Sequence, residues 1–175
     1  MKRSVTIISL AVLAVVIAFS ALLATRQPVS ATIAPSPLLG KVAPNVKGNE
    51  LGGGTFSLKS ERGKVVVVNF WASWCGPCKQ EAPELSTYAW NERNKGVAVV
   101  GVVYDDTVAN ATNFAAHYGS LYPSIVDTGG VIALNYGVTS PPTTYIINRQ
   151  GRVAATLLGA TTAKQLAAVV AKVQS

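Results

Sequence analysis

Val65-Val66-Val67-Val68-Asn69-Phe70 is a run of β-branched and apolar residues broken by one amide. It is too continuous for a half-exposed strand, which would alternate, and too short for a buried helix. It predicts a strand covered on both faces, as in the middle of a parallel sheet. Cys75-Gly76-Pro77-Cys78 follows within a few residues and opens a stretch with helical spacing. Pro77 is tolerated in a first helical turn, where its missing N–H has no intrahelical partner to lose. The helix is expected from Cys75 or Gly76 through Leu85, Tyr88 and Ala89 to about Asn94, kinked at Pro83 and stopped at Gly96. Val97–Val103 is a second buried run. Strand, helix and strand in that order form a βαβ unit, so the fold class is α/β with a parallel core.

Farther along, Thr107–Tyr118 reads as a helix stopped by Gly119, Ser124–Asp127 as a short strand, and Val131–Tyr136 as one or two helical turns closed by Gly137. Thr143–Asn148 and Arg152–Leu158 flank the turn Arg149-Gln150-Gly151 and predict a hairpin. Thr161–Val173 fits an amphipathic helix with Leu166, Val169, Val170 and Val173 on one side. Ahead of the core, Thr55–Leu58 alternates and suggests a short edge strand.

The N-terminus is different in kind. Lys2 and Arg3 precede Val5–Ala24, a stretch of 20 residues without a charge. That length suits the hydrocarbon core of a bilayer, whereas the apolar core of a cleaved signal is about 7–15 residues. An uncleaved anchor is therefore preferred over a signal cleaved at Val29-Ser30-Ala31 or Thr32-Ile33-Ala34, which would release the rest as a secreted protein. Lys2 and Arg3 outweigh Arg26, which keeps the N-terminus inside and exports the remainder to the extracytoplasmic side. Residues 26–44 carry Pro28, Pro35, Pro37 and Pro44 with no apolar period and read as an extended tether. The expected division is 1–25 membrane anchor or signal, 26–44 tether and 45–175 a single domain.

The formal charge of +7 owes three units to Lys2, Arg3 and Arg26; the 12 remaining basic residues face 8 acidic ones, a net of +4. No basic run or basic stripe interleaved with aromatics occurs, which argues against a nucleic-acid partner. Cys75 and Cys78 are the only cysteines. A bridge between them closes a tiny loop and stabilises little, and an exported protein that relied on disulfides would carry more of them at wider spacing. The pair therefore points to chemistry.

A helix N-terminus supplies unpaired N–H groups and partial positive charge, both of which favour a thiolate. An ordinary cysteine is only about 3% thiolate at pH 7; a pKa near 7 makes half of it reactive and requires about 2 kcal/mol of differential stabilisation of the thiolate. Cys75, first in the helix, is expected to be the exposed nucleophile, and Cys78, one turn along, the resolving thiol. Glu81 continues the same face and is expected to modulate the cysteines or shuttle a proton. Lys79 also lies near the helix start, with surface solvation its safer reading. Of Trp71 and Trp74, one is expected under the loop and the other on the partner surface. A zinc site would need four ligands, and only His117, read as a surface residue, is left to join the two sulfurs. Exchange between sulfurs requires no metal and no bound cofactor.

Val67-Val68-Asn69-Phe70-Trp71-Ala72-Ser73-Trp74-Cys75-Gly76-Pro77-Cys78-Lys79 resembles the active-site strand and helix of thioredoxins. Val138-Thr139-Ser140-Pro141-Pro142-Thr143-Thr144-Tyr145 resembles their second signature, a cis-proline loop facing the dithiol, with Pro142 at the cis position. With the N-terminal anchor, Glu81 and the extra residues between about 105 and 135, the chain is similar to the exported branch that includes TlpA, ResA and the cytochrome c maturation thioredoxins. The resemblance covers about residues 40–175 and implies a thioredoxin-like fold: a central mixed sheet flanked by helices, with an inserted helix–strand element. Cytoplasmic thioredoxins carry a buried Asp where this chain has Asn69, and Asn cannot accept a proton from the resolving cysteine.

The resemblance implies thiol–disulfide exchange with exported protein substrates through Cys75 and Cys78. Trp74, Gly76, Pro77, Pro141, Pro142 and Thr143 are the implied substrate contacts. Reduction of an apocytochrome c haem-binding motif is one implied role, with electrons from a membrane thiol carrier. The alternatives are a disulfide-forming oxidase, a non-catalytic binding module on the same fold and, more weakly, a peroxidase. The Gly-Pro dipeptide resembles that of reducing thioredoxins, though direction depends on the reduction potential and the partner.

Overall fold

A computed structural model describes residues 2–24, 30–120 and 122–174, with side chains left out at positions 2–6, 9, 23 and 24. Its elements are α1 (Lys2–Ala24), β1 (Thr32–Ile33), β2 (Lys47–Asn49), β3 (Thr55–Ser57), β4 (Val65–Trp71), α2 (Gly76–Glu92), β5 (Val97–Val103), α3 (Val108–Tyr118), β6 (Ser124–Val126), α4 (Val131–Tyr136), β7 (Thr143–Ile147), β8 (Val153–Leu158) and α5 (Ala163–Gln174).

The main sheet has the order β1-β8-β7-β4-β5-β6. β4, β5 and β6 are parallel, while β7, β8 and β1 join antiparallel, so the sheet is mixed. All seven residues of β4 are buried, as a continuous apolar run requires. Alternation along β4 sends Val65 and Val67 into one core with Leu85, Tyr88, Leu166 and Val170 of α2 and α5. Val66, Val68 and Phe70 enter a second core with Phe56, Ile125, Tyr136 and Tyr145. The architecture is the thioredoxin-like α/β fold, with α3 and β6 inserted after β5.

Two expectations change. Thr55–Ser57 pairs with Lys47–Asn49 in a separate two-stranded sheet rather than along the edge of the main one. The sequence of Thr55–Leu58 carries no mark of its partner, because Lys47–Asn49 has no apolar alternation of its own. The helix α2 carries Pro83 in its interior, as expected.

The second change concerns the tether. Residues 25–29 lie outside the described residues, but from Ser30 onward the segment is docked. Thr32 and Ile33 add a strand to the edge at Leu158 and Leu157. The Ala34, Gly40 and Ala43 amides donate to the carbonyls of Thr156, Val153 and Gly151. Ala31 is buried and its peptide is clamped by Gln165, whose side-chain oxygen accepts from the Ala31 N–H while its amide donates to the Ala31 carbonyl. Prolines at 35 and 37 obscured this in the sequence: they mark a chain without regular structure, which is not the same as a chain without partners.

In α1, the side chains described, Ile7, Ile8 and 10–22, are all exposed. Among the described residues no helix is long and apolar enough to cross a membrane; of the span expected at Val5–Ala24, the side chains at positions 5, 6, 9, 23 and 24 are among those left out.

Gly101 on β5 sits where an added Cβ would come within 2.3 Å of the Ser124 hydroxyl and 2.5 Å of the Trp71 indole nitrogen. Those two groups hydrogen-bond to each other, and Trp71 stacks on Phe114 of the inserted helix. Gly101→Ala is expected to lower stability by about 1–3 kcal/mol through overpacking. Urea unfolding of the variant beside the parent checks this; an unchanged midpoint would show that the Trp71–Ser124 pair is free to move.

Candidate active site

The site grows from the end of β4. The strand closes at Trp71, and the chain turns through Ala72-Ser73-Trp74 into α2. Cys75 is the N-cap of that helix, and its sulfur accepts from the Cys78 N–H at 3.1 Å. Cys75 and Cys78 are joined in a disulfide with Cα atoms 5.3 Å apart. Both sit in an apolar pocket with Trp71, Ala82, Val103, Ala111 and Phe114. Cys75, expected to be exposed, is only 4% accessible in this oxidised form, and Cys78 2%. The inserted helix α3 contributes Ala111 and Phe114 to this apolar cluster.

Trp74 is the exposed tryptophan and Trp71 the buried one. The Trp74 indole N–H donates to the Asp105 carbonyl at 3.0 Å, and its ring lies beside Tyr104. Asp105 takes a left-handed backbone (φ 43°), a conformation that Asp tolerates better than most residues. The Asp106 carboxylate accepts from the Ser73 N–H at 2.7 Å and from the Thr107 N–H at 2.8 Å. One carboxylate thus pins the dithiol loop to the start of α3. Asp106 was not singled out in the sequence; its only signal there was a pair of acids directly after a buried strand.

The register Phe70↔Thr143 puts the loop before β7 at the same end of the sheet as Cys75. The Pro141–Pro142 bond is cis. Gly76 and Pro77 are exposed, Pro141 is half-buried, and Pro142 and Thr143 are buried. The Thr143 hydroxyl donates inward to the Ser140 carbonyl, so its side chain is not presented to a partner. Lys79 and His117 are exposed.

Glu81 lies one turn beyond Cys78 and is 1% accessible. One of its oxygens accepts from the Asn69 amide and the other from the Thr161 N–H, both at 2.9 Å. The same Asn69 amide group donates to the Thr144 hydroxyl. Burial raises the Glu81 pKa from 4.5 to about 7, against the smaller opposing pull of the Thr161 and Asn69 hydrogen bonds. The Tyr122 phenol is held neutral by burial and, secondarily, by the Glu81 charge. Asn69 Oδ1 is buried with no partner among the described residues. An amide can turn by 180°, donating to a carboxylate in one orientation and accepting from a carboxylic acid in the other, so Asn69 suits both protonation states of Glu81. Among the described residues no cluster of His, Cys, Asp and Glu could hold a metal ion.

A redox-active cysteine pair capping a helix at the end of a buried strand, beside a cis-proline loop on a thioredoxin-like sheet, defines a thiol–disulfide oxidoreductase. Residues 39–156 match the AhpC/TSA family, and the chain belongs to it. The chain is 35% identical over 135 residues to the thiol-disulfide oxidoreductase ResA of Bacillus anthracis, covering 77% of this chain and 78% of that protein. It is 37% identical over 128 residues to the thiol:disulfide interchange protein HelX of Rhodobacter capsulatus, covering 71% and 70%. A thiol:disulfide interchange protein DsbE structure from Chlorobium tepidum aligns with a TM-score of 0.72 at 30% identity, over 78% of this chain and 98% of that one.

Because the folded pKa of Glu81 lies above its unfolded value, the folded state holds the proton longer. Stability is therefore highest below about pH 4.5 with respect to this group and falls as pH rises to about 7, by about 3 kcal/mol in all. Glu81→Gln is expected to remove that component. The check is the difference in unfolding free energy between parent and variant at pH 5 and pH 8; a constant difference would show that Glu81 ionises normally.

Proposed function

We propose that this thiol–disulfide oxidoreductase acts outside the cytoplasm as a reductant of exported protein disulfides, with Cys75 as nucleophile, Cys78 as resolving thiol and Glu81 as proton acceptor. The observation that carries the reading is the buried Glu81 carboxyl one turn from Cys78, with a pKa near neutrality. A strong oxidant is one whose dithiol form is stabilised, commonly as thiolate. A buried carboxylate on the resolving side opposes thiolate there and so favours giving electrons away.

In the reduced protein the Cys75 thiolate attacks one sulfur of the partner disulfide. The partner S–S bond breaks, a mixed disulfide forms, and one partner sulfur leaves as thiolate. Glu81 takes the proton from Cys78, whose thiolate attacks Cys75 Sγ. That step breaks the mixed disulfide, forms Cys75–Cys78 and releases the second partner sulfur. Two electrons pass to the partner; one of its thiols takes the Cys78 proton by way of Glu81, and the other takes a proton from water. Trp74, Gly76, Pro77 and Pro141 form the accessible rim on which the partner chain rests. By the family resemblance, the substrate class is the cysteine pair of an apocytochrome c haem-binding motif, and a membrane thiol carrier returns the pair to the dithiol state.

The helix α1 is read as the anchor. Its 23 residues would span about 34 Å. Cleavage after Ala31 or Ala34 would remove the residue that Gln165 clamps, and in the second case β1 as well, which supports an uncleaved segment.

The reduction potential of the Cys75–Cys78 pair tests the direction. A value nearer −270 mV than −120 mV is expected, and Glu81→Gln is expected to move it toward the oxidising end. A parent value near −120 mV would make the protein an oxidase. In a Cys78→Ser chain, Cys75 is expected to hold its partner as a mixed disulfide, and an apocytochrome c among the captured proteins would identify the substrate.

A further inference from the structure

The docked strap changes where the active site can go. Had residues 25–44 been free, the domain would hang on about 65 Å of extended chain. With Ser30–Ala43 bound to the sheet, only residues 25–29 separate the end of α1 at Ala24 from the first docked residue, a reach of at most about 20 Å.

The strap also enters at a particular end. Thr32 pairs with Leu158, Leu158 with Thr143, and Thr143 with Phe70, forming one row across β1, β8, β7 and β4. Three strand spacings put Thr32 and Phe70 about 14 Å apart. Phe70 leads into the Cys75 loop, and Thr143 follows the cis-proline, whose carbonyl accepts from the Gly159 N–H at the end of β8. β1 runs antiparallel to β8, so Ser30 and Ala31 lie at the dithiol end and the chain then runs away from it. The short leash and the dithiol leave the domain on the same side.

We propose that Ser30–Ala43 is an orienting strap that directs the Cys75–Cys78 end toward the bilayer, so that the partner is a protein presenting its cysteine pair at the membrane surface. The inference rests on α1 being the anchor. Gln165 is the catch: it binds both polar groups of the Ala31 peptide, and its side-chain oxygen also accepts from the Thr161 hydroxyl. Thr161 in turn donates its N–H to Glu81, so the strap is seated on the same turn that holds the active-site carboxylate. Ile33, Leu158 and Trp74 are exposed apolar residues at this end of the sheet and would face the same surface.

The test uses the full chain, reduced and reconstituted in phosphatidylcholine vesicles that carry a disulfide attached directly to a lipid headgroup. A parallel reaction uses a soluble disulfide peptide. A 20-residue Gly/Ser insertion between Arg26 and Gln27 lengthens the leash about fivefold in residues, widens the shell explored about twofold and frees the facing. The inserted chain is expected to react at least twofold more slowly with the headgroup disulfide and at an unchanged rate with the soluble peptide. The same insertion placed between Gly52 and Gly53, in an exposed loop, is expected to change neither. Equal headgroup rates for parent and leash variant, with both chains floating with the vesicles, would overturn the orienting strap alone. Failure of the parent to float with the vesicles would overturn the anchor and this inference together.

Discussion

A carboxyl group buried between helix and sheet organises this molecule. Glu81 reaches from α2 to Asn69 on β4 and to the Thr161 N–H ahead of α5, and through Asn69 it is linked to Thr144 on β7. The side chain thus ties α2 to β4 and to the turn before α5, and β7 joins through Asn69. Removing a carboxylate from water is costly, and two hydrogen bonds offset only part of that cost. The remainder is expressed as a proton held up to about pH 7. The group that makes the core harder to build is the one whose proton affinity suits exchange with a thiol.

The surroundings of the sulfurs follow a related logic. The N-terminus of α2 favours thiolate, while the apolar contacts of Trp71, Phe114 and Ala111 disfavour charge. The inserted α3 provides much of that apolar cover, and Asp106 ties its first turn to Ser73. The insertion is thus part of the active site rather than an ornament on the sheet. Gly101 belongs to the same assembly, because only a residue without a side chain leaves room for Trp71 to meet Ser124.

The N-terminal strap shows how a segment without regular structure becomes part of a fold. Its contacts are mostly backbone hydrogen bonds to an otherwise open edge at β8, supplemented by one glutamine. Covering an edge strand in this way also removes a site for unwanted pairing with another chain.

Much of the fold was legible along the chain. The run at Val65–Phe70, the helix begun by Cys75-Gly76-Pro77 and the second run at Val97–Val103 each carry a local period or a backbone restriction that permits one kind of element. The reactive pair was legible for the same reason: its chemistry depends on spacing within one helical turn. Three features were not. The burial of Glu81 depends on Thr161, 80 positions away, and on which face of β4 Asn69 occupies. The docking of Ala31 depends on Gln165, 134 positions away. The low accessibility of Cys75 belongs to an apolar cluster that draws Val103 from β5 and Ala111 and Phe114 from α3. The sequence by itself determined the central strands, the main helices and the reacting sulfurs, because those follow from neighbours a few residues apart. Only the tertiary structure decided the proton affinity of Glu81, the cover over the disulfide and the end from which the tether leaves, because each arises from groups that meet only when the sheet has formed.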